Sequence, residues 1–254
     1  MKIRIGIFFG GNSREREVSF AGGRTVYDNL NKSLFEAVPI FVDSFNNFVL
    51  LDWHFIYKGS IRDFYPPVDQ LPDSPNEFQV YAESLGKPDR ELQDRLIREI
   101  GKKVLPDQLN ELIDFAFLCL HGPFGEDGRI QGLLEFYGIP YSGSGILSSA
   151  IGINKAIQKS LMHEAGFPGP ANFSIRRSEW AEPMTAGGII TKIRDEIGYP
   201  CVVKPANQGS SIGVTILSAE DPARLAEAIE LAFFRRRISQ DEWKGLDHDH
   251  KLAE

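Results

Sequence analysis

The chain has 254 residues, with 28 Lys and Arg against 35 Asp and Glu, which gives a formal charge of −7. A hydrophobic content of 42% predicts a folded protein and excludes a disordered one. The acidic balance argues against a duplex nucleic-acid binder, and no apolar run approaches the roughly 20 residues that span a bilayer.

Strands and helices alternate from the start of the chain. Residues 2–9 form a nearly continuous apolar run, typical of a strand covered on both faces, and no signal-peptide cleavage site follows it. A glycine turn and a helix to about Leu30 come next. Further strands are predicted at 37–42, 114–120 and 139–141, with a helix at 130–137. This order predicts a doubly wound parallel sheet.

Residues 43–110 interrupt the alternation, and we interpret them as an insertion in the first domain. Residues 48–57 suggest a hairpin, 65–75 are loop-like, and 89–103 are charged and favour a helix.

A second unit begins near residue 142. The predicted elements there are a helix at 154–165 ending at Gly166, a strand at 172–175, a helix at 189–197, strands at 201–204 and 213–217, and a helix opened by Asp221 and Pro222. The predicted domains are therefore 1–141 and 142–234, followed by a polar tail at 235–254. Cys119 and Cys201 lie in apolar runs, which favours buried, reduced thiols in a cytoplasmic protein.

The glycine turn at residues 10–13 leads into a segment rich in charge. Glycines let the backbone turn tightly and expose amide N–H groups at the following helix N-terminus, where a carboxylate or phosphate binds well. Glu15 or Glu17 could pair with a substrate ammonium. Taken alone, the turn favours a simpler interpretation, in which both acids complement the helix macrodipole. The G-x-G-x-x-G spacing of a dinucleotide site is missing, which disfavours a nicotinamide-dependent dehydrogenase.

Residues 121–128 directly follow a buried strand. They are therefore expected at the carboxyl end of the sheet, where open α/β folds bind ligands. His121 is suited to hydrogen-bond a substrate carboxylate or an anionic intermediate. A turn histidine satisfied by the backbone is an equally good interpretation of this residue.

Lys204 ends a predicted strand, and a glycine- and serine-rich loop, 208–213, follows it. A lone lysine in this position is usually solvated, but such a loop can fold over a nucleotide phosphate and offer amides and hydroxyls. The loop lacks the Gly-Lys-Ser/Thr ending of a Walker A motif. Lys155 is the second lysine of interest.

Together, residues 10–19, 121–128, 141–155 and 203–214 resemble, in order, the D-alanine–D-alanine ligases of the ATP-grasp superfamily. The resemblance implies an α/β protein, in which a doubly wound parallel-sheet domain precedes the first α+β subdomain of an ATP-grasp fold. The second subdomain is absent from this chain. The implied reaction is ATP-dependent joining of two D-alanine molecules through an acyl phosphate, for peptidoglycan synthesis.

The resemblance also implies roles for individual residues. Glu15 and Ser210 are the catalytic candidates: Glu15 holds the ammonium of the first D-alanine, and Ser210 positions Glu15. The substrate-binding candidates are Ser19 and His121. The ATP-binding candidates are Lys155, Lys204, Gly209 and Ser211.

Magnesium or manganese is expected as the metal, with its ligands in the missing C-terminal half and none in this chain. We interpret the acids and histidines of the tail as solvated. D-alanine and ATP are the expected partners, without nucleic acid or membrane, and the family is commonly a homodimer. Two alternatives are a ligase with another second substrate, such as D-lactate, and a truncated, non-catalytic binding module.

Overall fold

The computed structural model describes residues 2–66, 88–180 and 186–234, together with Gly245. The chain divides into two compact units, Met1–Ile153 and Asn154–Glu254. The tail at 235–254, apart from Gly245, lies outside the described residues, and so do 67–87 of the predicted insertion. Among the described residues, no helix combines the length and apolar character that crossing a membrane requires.

The first unit is built on a five-stranded sheet with the order β4-β3-β2-β1-β5. Its strands are β1 (Ile3–Gly10), β2 (Phe35–Val42), β3 (Phe48–Leu51), β4 (Gly101–Val104) and β5 (Phe115–Leu118). The central strand β1 is parallel to both β2 and β5, whereas β3 is antiparallel to β2 and β4. The predicted α/β class is confirmed, and the antiparallel β3 is an addition that the alternation did not predict.

Helices cover both faces of this sheet. They are α1 (Arg16–Asn29), α2 (Arg90–Ile100), α3 (Leu109–Leu112) and α4 (Arg129–Phe136). A further helix, α5 (Ile146–Ile153), has no buried residue and contacts α4. Phe9 of β1 packs in the same cluster as Phe20 of α1, and Phe8 packs on the other face with Leu134 of α4. The side chains of a strand alternate between faces, so two cores explain why nearly the whole of β1 is apolar.

Three sequence predictions in this unit need correction. The hairpin at 48–57 is wrong, because β3 pairs with β2 and β4 while Trp53–Tyr57 forms a 3₁₀ helix. The helix expected over 89–103 ends at Ile100, and the rest of that segment is β4. The strand at 139–141 is reduced to a single parallel bridge between Ala116 and Tyr141. For β4 and Tyr141, pairing with a segment far along the chain decides the local conformation, whereas β3 pairs both with the preceding strand β2 and with the distant β4.

The second unit contains a two-stranded antiparallel sheet with helices packed on it. Its elements are α6 (Lys155–Glu164), α7 (Ala186–Glu196), β6 (Cys201–Val203), β7 (Thr215–Leu217) and α8 (Pro222–Ala232). Asp221 caps α8 as predicted, since its Oδ1 accepts the Arg224 N–H at 3.0 Å. The strand expected at 172–175 is wrong, because that segment has no regular structure.

The cysteines and helix α5 can also be compared with the sequence predictions. Cys119 and Cys201 are buried, free thiols, as expected, and burial raises the pKa of Cys119 to about 11. Helix α5 was not predicted; it belongs to the first unit, so that unit ends at Ile153. The domain boundary predicted after residue 141 stays a prediction.

Arg4 and Asp114 form an ion pair at 2.6 Å at the start of the sheet, and we expect acid to weaken its contribution to stability. Hydrogen bonds from the Arg4 side chain and backbone lower the pKa of Asp114 to about 2. Because folding lowers this pKa, the pair stabilises the folded state above the ordinary aspartate pKa of about 3.9 and is lost as the pH falls toward 2. We expect Asp114→Asn to destabilise the protein near neutral pH but hardly at all near pH 2, measured by urea denaturation.

Arg4→Gln provides the companion measurement, since it leaves the carboxyl in place and removes the guanidinium. In this variant, the Asp114 pKa read by carboxyl NMR should rise toward the ordinary value. An unchanged Asp114 pKa would show that Arg4 is not the cause of the shift.

Candidate active site

The glycine turn is held against the sheet by short backbone contacts. Gly10 has a φ of +93°, and a Cβ there would lie 2.5 Å from the Val42 carbonyl oxygen, so only glycine fits. The Gly11 N–H donates to the same carbonyl at 2.7 Å. Ser19, which is 0% exposed, accepts the Gly10 N–H through its hydroxyl at 2.8 Å. This contact gives Ser19 a structural role in the turn; its substrate contact stays a prediction.

Glu15 and Glu17 lie in different surroundings. Glu17, in the first turn of α1, accepts the Ile61 N–H at 3.1 Å and faces Arg62 at 3.9 Å. Glu15 precedes α1, does not cap it with its side chain, and is 4% exposed. Its Oε2 lies against Gly122, where a Cβ would approach to 2.6 Å. The macrodipole interpretation therefore suits Glu17, whereas Glu15 is directed at the second sequence segment.

The loop at 121–128 is stabilised by its own acidic side chains. Glu126 accepts the Gly122 N–H at 2.7 Å, and Asp127 accepts the Phe124 N–H at 2.9 Å. The guanidinium of Arg129 lies over the Phe124 ring at 4.1 Å and faces Asp127 at 3.4 Å. Glu126 and Asp127 therefore shape this loop from within, shortly after the carboxyl end of β5.

Ser13 connects the glycine turn with this loop. Its hydroxyl donates to the His121 carbonyl oxygen at 2.7 Å and accepts the Glu15 N–H at 3.1 Å. The structure thus brings together two of the segments that the sequence singled out, 10–19 and 121–128. Ser13 and Gly122 were not among the predicted site residues. The signal for Ser13 was its place two residues before Glu15 in a turn rich in glycine.

A cavity of about 240 Å³ opens beside the same loop. Its wall is largely apolar and includes Gly11, Phe48, Leu120, His121, Phe124 and Ile130. His121, which is half-buried, is one of the residues of this wall. The cavity can therefore receive a small molecule with an apolar part.

In the second unit, Lys155 is tied to the glycine- and serine-rich loop. Its backbone N–H donates to the Ala206 carbonyl at 2.9 Å, and its ammonium donates to the Gln208 carbonyl. Asn154 caps α6, because its side chain accepts the Ala156 and Ile157 N–H groups, and this places Lys155 in the first turn. A cation is disfavoured at that positive end of a helix, whereas an anion is favoured.

The loop itself has an unusual backbone. Ser210 and Ser211 have φ values of +47° and +60°, a region that costs non-glycine residues on the order of 1–3 kcal/mol each. Gly213 has a φ of +69°, and a Cβ there would lie 2.9 Å from Pro205. Such conformations cluster at ligand-binding sites. Gly209 is half-buried, and both serines are exposed, so amides and hydroxyls are presented at the surface.

The remaining candidates are placed as follows. Lys204 directly follows β6 and is exposed. Ser210 belongs to the second unit and Glu15 to the first, so the predicted contact between them stays a prediction. No group of three or more metal-ligating side chains occurs within 2–66, 88–180 and 186–234. The tail residues Asp241, Glu242, Asp247, His248, Asp249 and His250 are outside the described part.

Comparisons with known proteins identify relatives along almost the whole chain. The family profile for the D-ala D-ala ligase N-terminus matches residues 4–144, and the profile for the D-ala D-ala ligase C-terminus matches residues 161–238. The D-alanine–D-alanine ligase of Geobacillus thermodenitrificans is 32% identical over 248 residues, which is 97% of this chain and 62% of that protein.

Solved structures of D-alanine ligases are also similar to this chain. The D-alanine–D-alanine ligase from Bacillus anthracis is 28% identical, with a TM-score of 0.56; the match covers 91% of this chain and 54% of the B. anthracis chain. The VanG D-Ala:D-Ser ligase from Enterococcus faecalis is 25% identical, with a TM-score of 0.63; the match covers 92% of this chain and 60% of the VanG chain. The chain therefore spans about three fifths of the length of the relatives it matches.

The tether between Lys155 and the Gln208 carbonyl can be tested directly. We expect Lys155→Met to speed amide exchange in the 205–213 loop by about tenfold, since a hydrogen bond to a charged group contributes roughly 1.5–3 kcal/mol. Hydrogen–deuterium exchange with mass spectrometry measures this rate. Lys159→Met, one turn further along α6, is the matched control. Equal acceleration in both variants would contradict the tether.

Proposed function

This chain belongs to the D-alanine–D-alanine ligase family, and we propose that the protein joins two D-alanine molecules in a reaction driven by ATP. The observation that carries the proposal is the meeting of two segments in the first unit, where Glu15 lies against Gly122 beside His121. A buried carboxylate next to a hydrogen-bonding loop is suited to an amino acid, which carries both an ammonium and a carboxylate.

On the amino-acid side, we assign the ammonium of the first D-alanine to Glu15. An ion pair is stronger in this buried position than in water, because the local dielectric constant is lower. His121 would then lie near the substrate carboxylate, and holding both ends of a small molecule orients the carboxylate for reaction. Glu17 is a poorer candidate, since its carboxylate already accepts the Ile61 N–H and faces Arg62.

On the nucleotide side, we assign the phosphates of ATP to Lys155, Lys204, Gly209 and Ser211. The N-terminus of α6 attracts anions, and Lys155 adds a cation there that a phosphate would offset. Amides and hydroxyls of the loop supply further donors, as in other phosphate-binding loops. Ser210, next to them, is assigned to position Glu15 when the substrates are bound.

The proposed reaction has two steps. A carboxylate oxygen of the first D-alanine attacks the γ-phosphorus of ATP, and ADP leaves with the electrons of the broken P–O bond. The amine of the second D-alanine then attacks the acyl carbon, and phosphate leaves from the tetrahedral intermediate with the proton that the amine gives up. Positioning and charge neutralisation by the lysines are the main contributions that this chain can make. Magnesium would neutralise further charge, and we expect its ligands outside the described residues.

The second substrate could differ from D-alanine, because one structural relative is a D-Ala:D-Ser ligase. D-alanine is our proposal, since the family profiles and the curated relatives carry that name. As part of the same proposal, the protein acts in the cytoplasm, where ATP is available, and forms a homodimer.

The test is D-alanine-dependent release of ADP by the product of the whole reading frame. We expect dipeptide as the product, and less depsipeptide or D-Ala–D-Ser when D-lactate or D-serine is supplied. Tight binding of D-alanine and ATP without turnover, in the presence of magnesium, would overturn the proposal in favour of a binding module.

Two substitutions should each weaken the binding of a different substrate. Glu15→Gln should raise the D-alanine requirement at least tenfold with nucleotide binding intact, because the ammonium loses its counter-ion. Lys204→Ala should weaken ATP binding by about tenfold or more, through loss of a charge-assisted contact. Steady-state kinetics and calorimetry measure both effects.

Glu17→Gln and Lys159→Ala are the matched controls for these substitutions. We expect neither of them to change the D-alanine KM or the ATP affinity appreciably. If Glu15→Gln and Lys204→Ala affected both substrates equally, the separate roles would be wrong.

A further inference from the structure

Ser13 occupies the point where the two substrate-binding segments touch. Its side chain is 6% exposed, in the turn between β1 and α1. The hydroxyl oxygen accepts the Glu15 N–H at 3.1 Å, and the hydroxyl proton goes to the His121 carbonyl oxygen at 2.7 Å. One small side chain therefore bonds to the main chain of both residues that we assign to the first D-alanine.

A role confined to the turn does not account for both bonds. Accepting the N–H two residues ahead is what serines commonly do in turns. A hydroxyl has a single proton, however, and Ser13 donates it to a residue 108 positions away in the chain. Each bond also polarises the next, because the N–H, the hydroxyl and the carbonyl form a chain of donors and acceptors.

The carbonyl that Ser13 holds is next to the surface against which Glu15 packs. Gly122 follows His121, has a φ of +69°, and leaves room for Glu15 Oε2, which a Cβ would approach to 2.6 Å. The same Cβ would lie 3.2 Å from the Ser13 Cβ. Fixing the His121 carbonyl therefore also fixes the position of the Glu15 carboxylate.

We propose that Ser13 is a positioning residue for the first amino acid, holding the Glu15 and His121 main chains at one separation through its hydroxyl. The inference rests on the proposed function for its kinetic consequence. In the bound complex, the ammonium and the carboxylate of one small substrate contact two different segments. A hydroxyl that sets their spacing selects a substrate of that length.

The experiment uses three variants of the product of the whole reading frame. Ser13→Ala removes both hydrogen bonds, and Ser13→Thr keeps the hydroxyl. Ser142→Ala is the matched control, because the Ser142 hydroxyl also accepts one buried-strand N–H, from Leu118 at 2.9 Å. We expect Ser13→Ala to raise the KM for the first D-alanine by about tenfold with the ATP KM unchanged.

A second readout does not depend on turnover. In Ser13→Ala, the Glu15 amide should exchange its hydrogen about tenfold faster than in the unsubstituted protein. Ser13→Thr should restore both the exchange rate and the KM, and Ser142→Ala should alter neither. If Ser13→Ala does not fold, the unsubstituted protein still decides: slow exchange at the Glu15 amide supports the contact, and exchange as fast as in an open loop overturns it.

The other outcomes are equally decisive. An unchanged D-alanine KM in Ser13→Ala, or an equal rise in both KM values, would overturn the positioning role. An equal effect of Ser142→Ala would overturn it as well. Failure of the unsubstituted protein to release ADP with D-alanine would overturn the proposed function, while Glu15 amide exchange would still test the Ser13 contact.

Discussion

The parallel pairing of β1 with β2 and β5 is the constraint on which the first unit depends. Because the three strands run in the same direction, their carboxyl ends meet at one edge, and the chain leaving β1 comes next to the chain leaving β5. The glycine turn and the loop at 121–128 are therefore neighbours, although over a hundred residues separate them. The burial of Phe8 and Phe9 on opposite faces holds β1 in this central position.

Short side chains and glycines complete the site that the sheet begins. Gly10 and Gly122 take up backbone conformations and close contacts in which a Cβ would collide with a carbonyl or a carboxylate. Ser13 and Ser19 bond the turn to its surroundings through single hydroxyls. The site is thus positioned by small residues, while the charged residues Glu126 and Asp127 stabilise the loop from within.

The second unit combines a capped helix with a loop of unusual backbone conformation. Asn154 caps α6 and so places Lys155 at the positive end of the helix, where its ammonium is satisfied by a loop carbonyl. Ser210 and Ser211 keep left-handed conformations in that loop.

The sequence by itself determined the family, the α/β class and most regular elements, because apolar runs, helix caps and glycine turns are local signals. It also singled out Glu15, His121, Lys155 and Lys204, since charges beside glycines stand out along the chain. Only the tertiary structure decided that 48–51 pairs with the distant strand β4, and that Glu15 rather than Glu17 lies against the second segment. Likewise, only the fold revealed that Ser13 and Gly122 bring the two segments together, because these contacts join residues far apart in sequence, which no local pattern encodes.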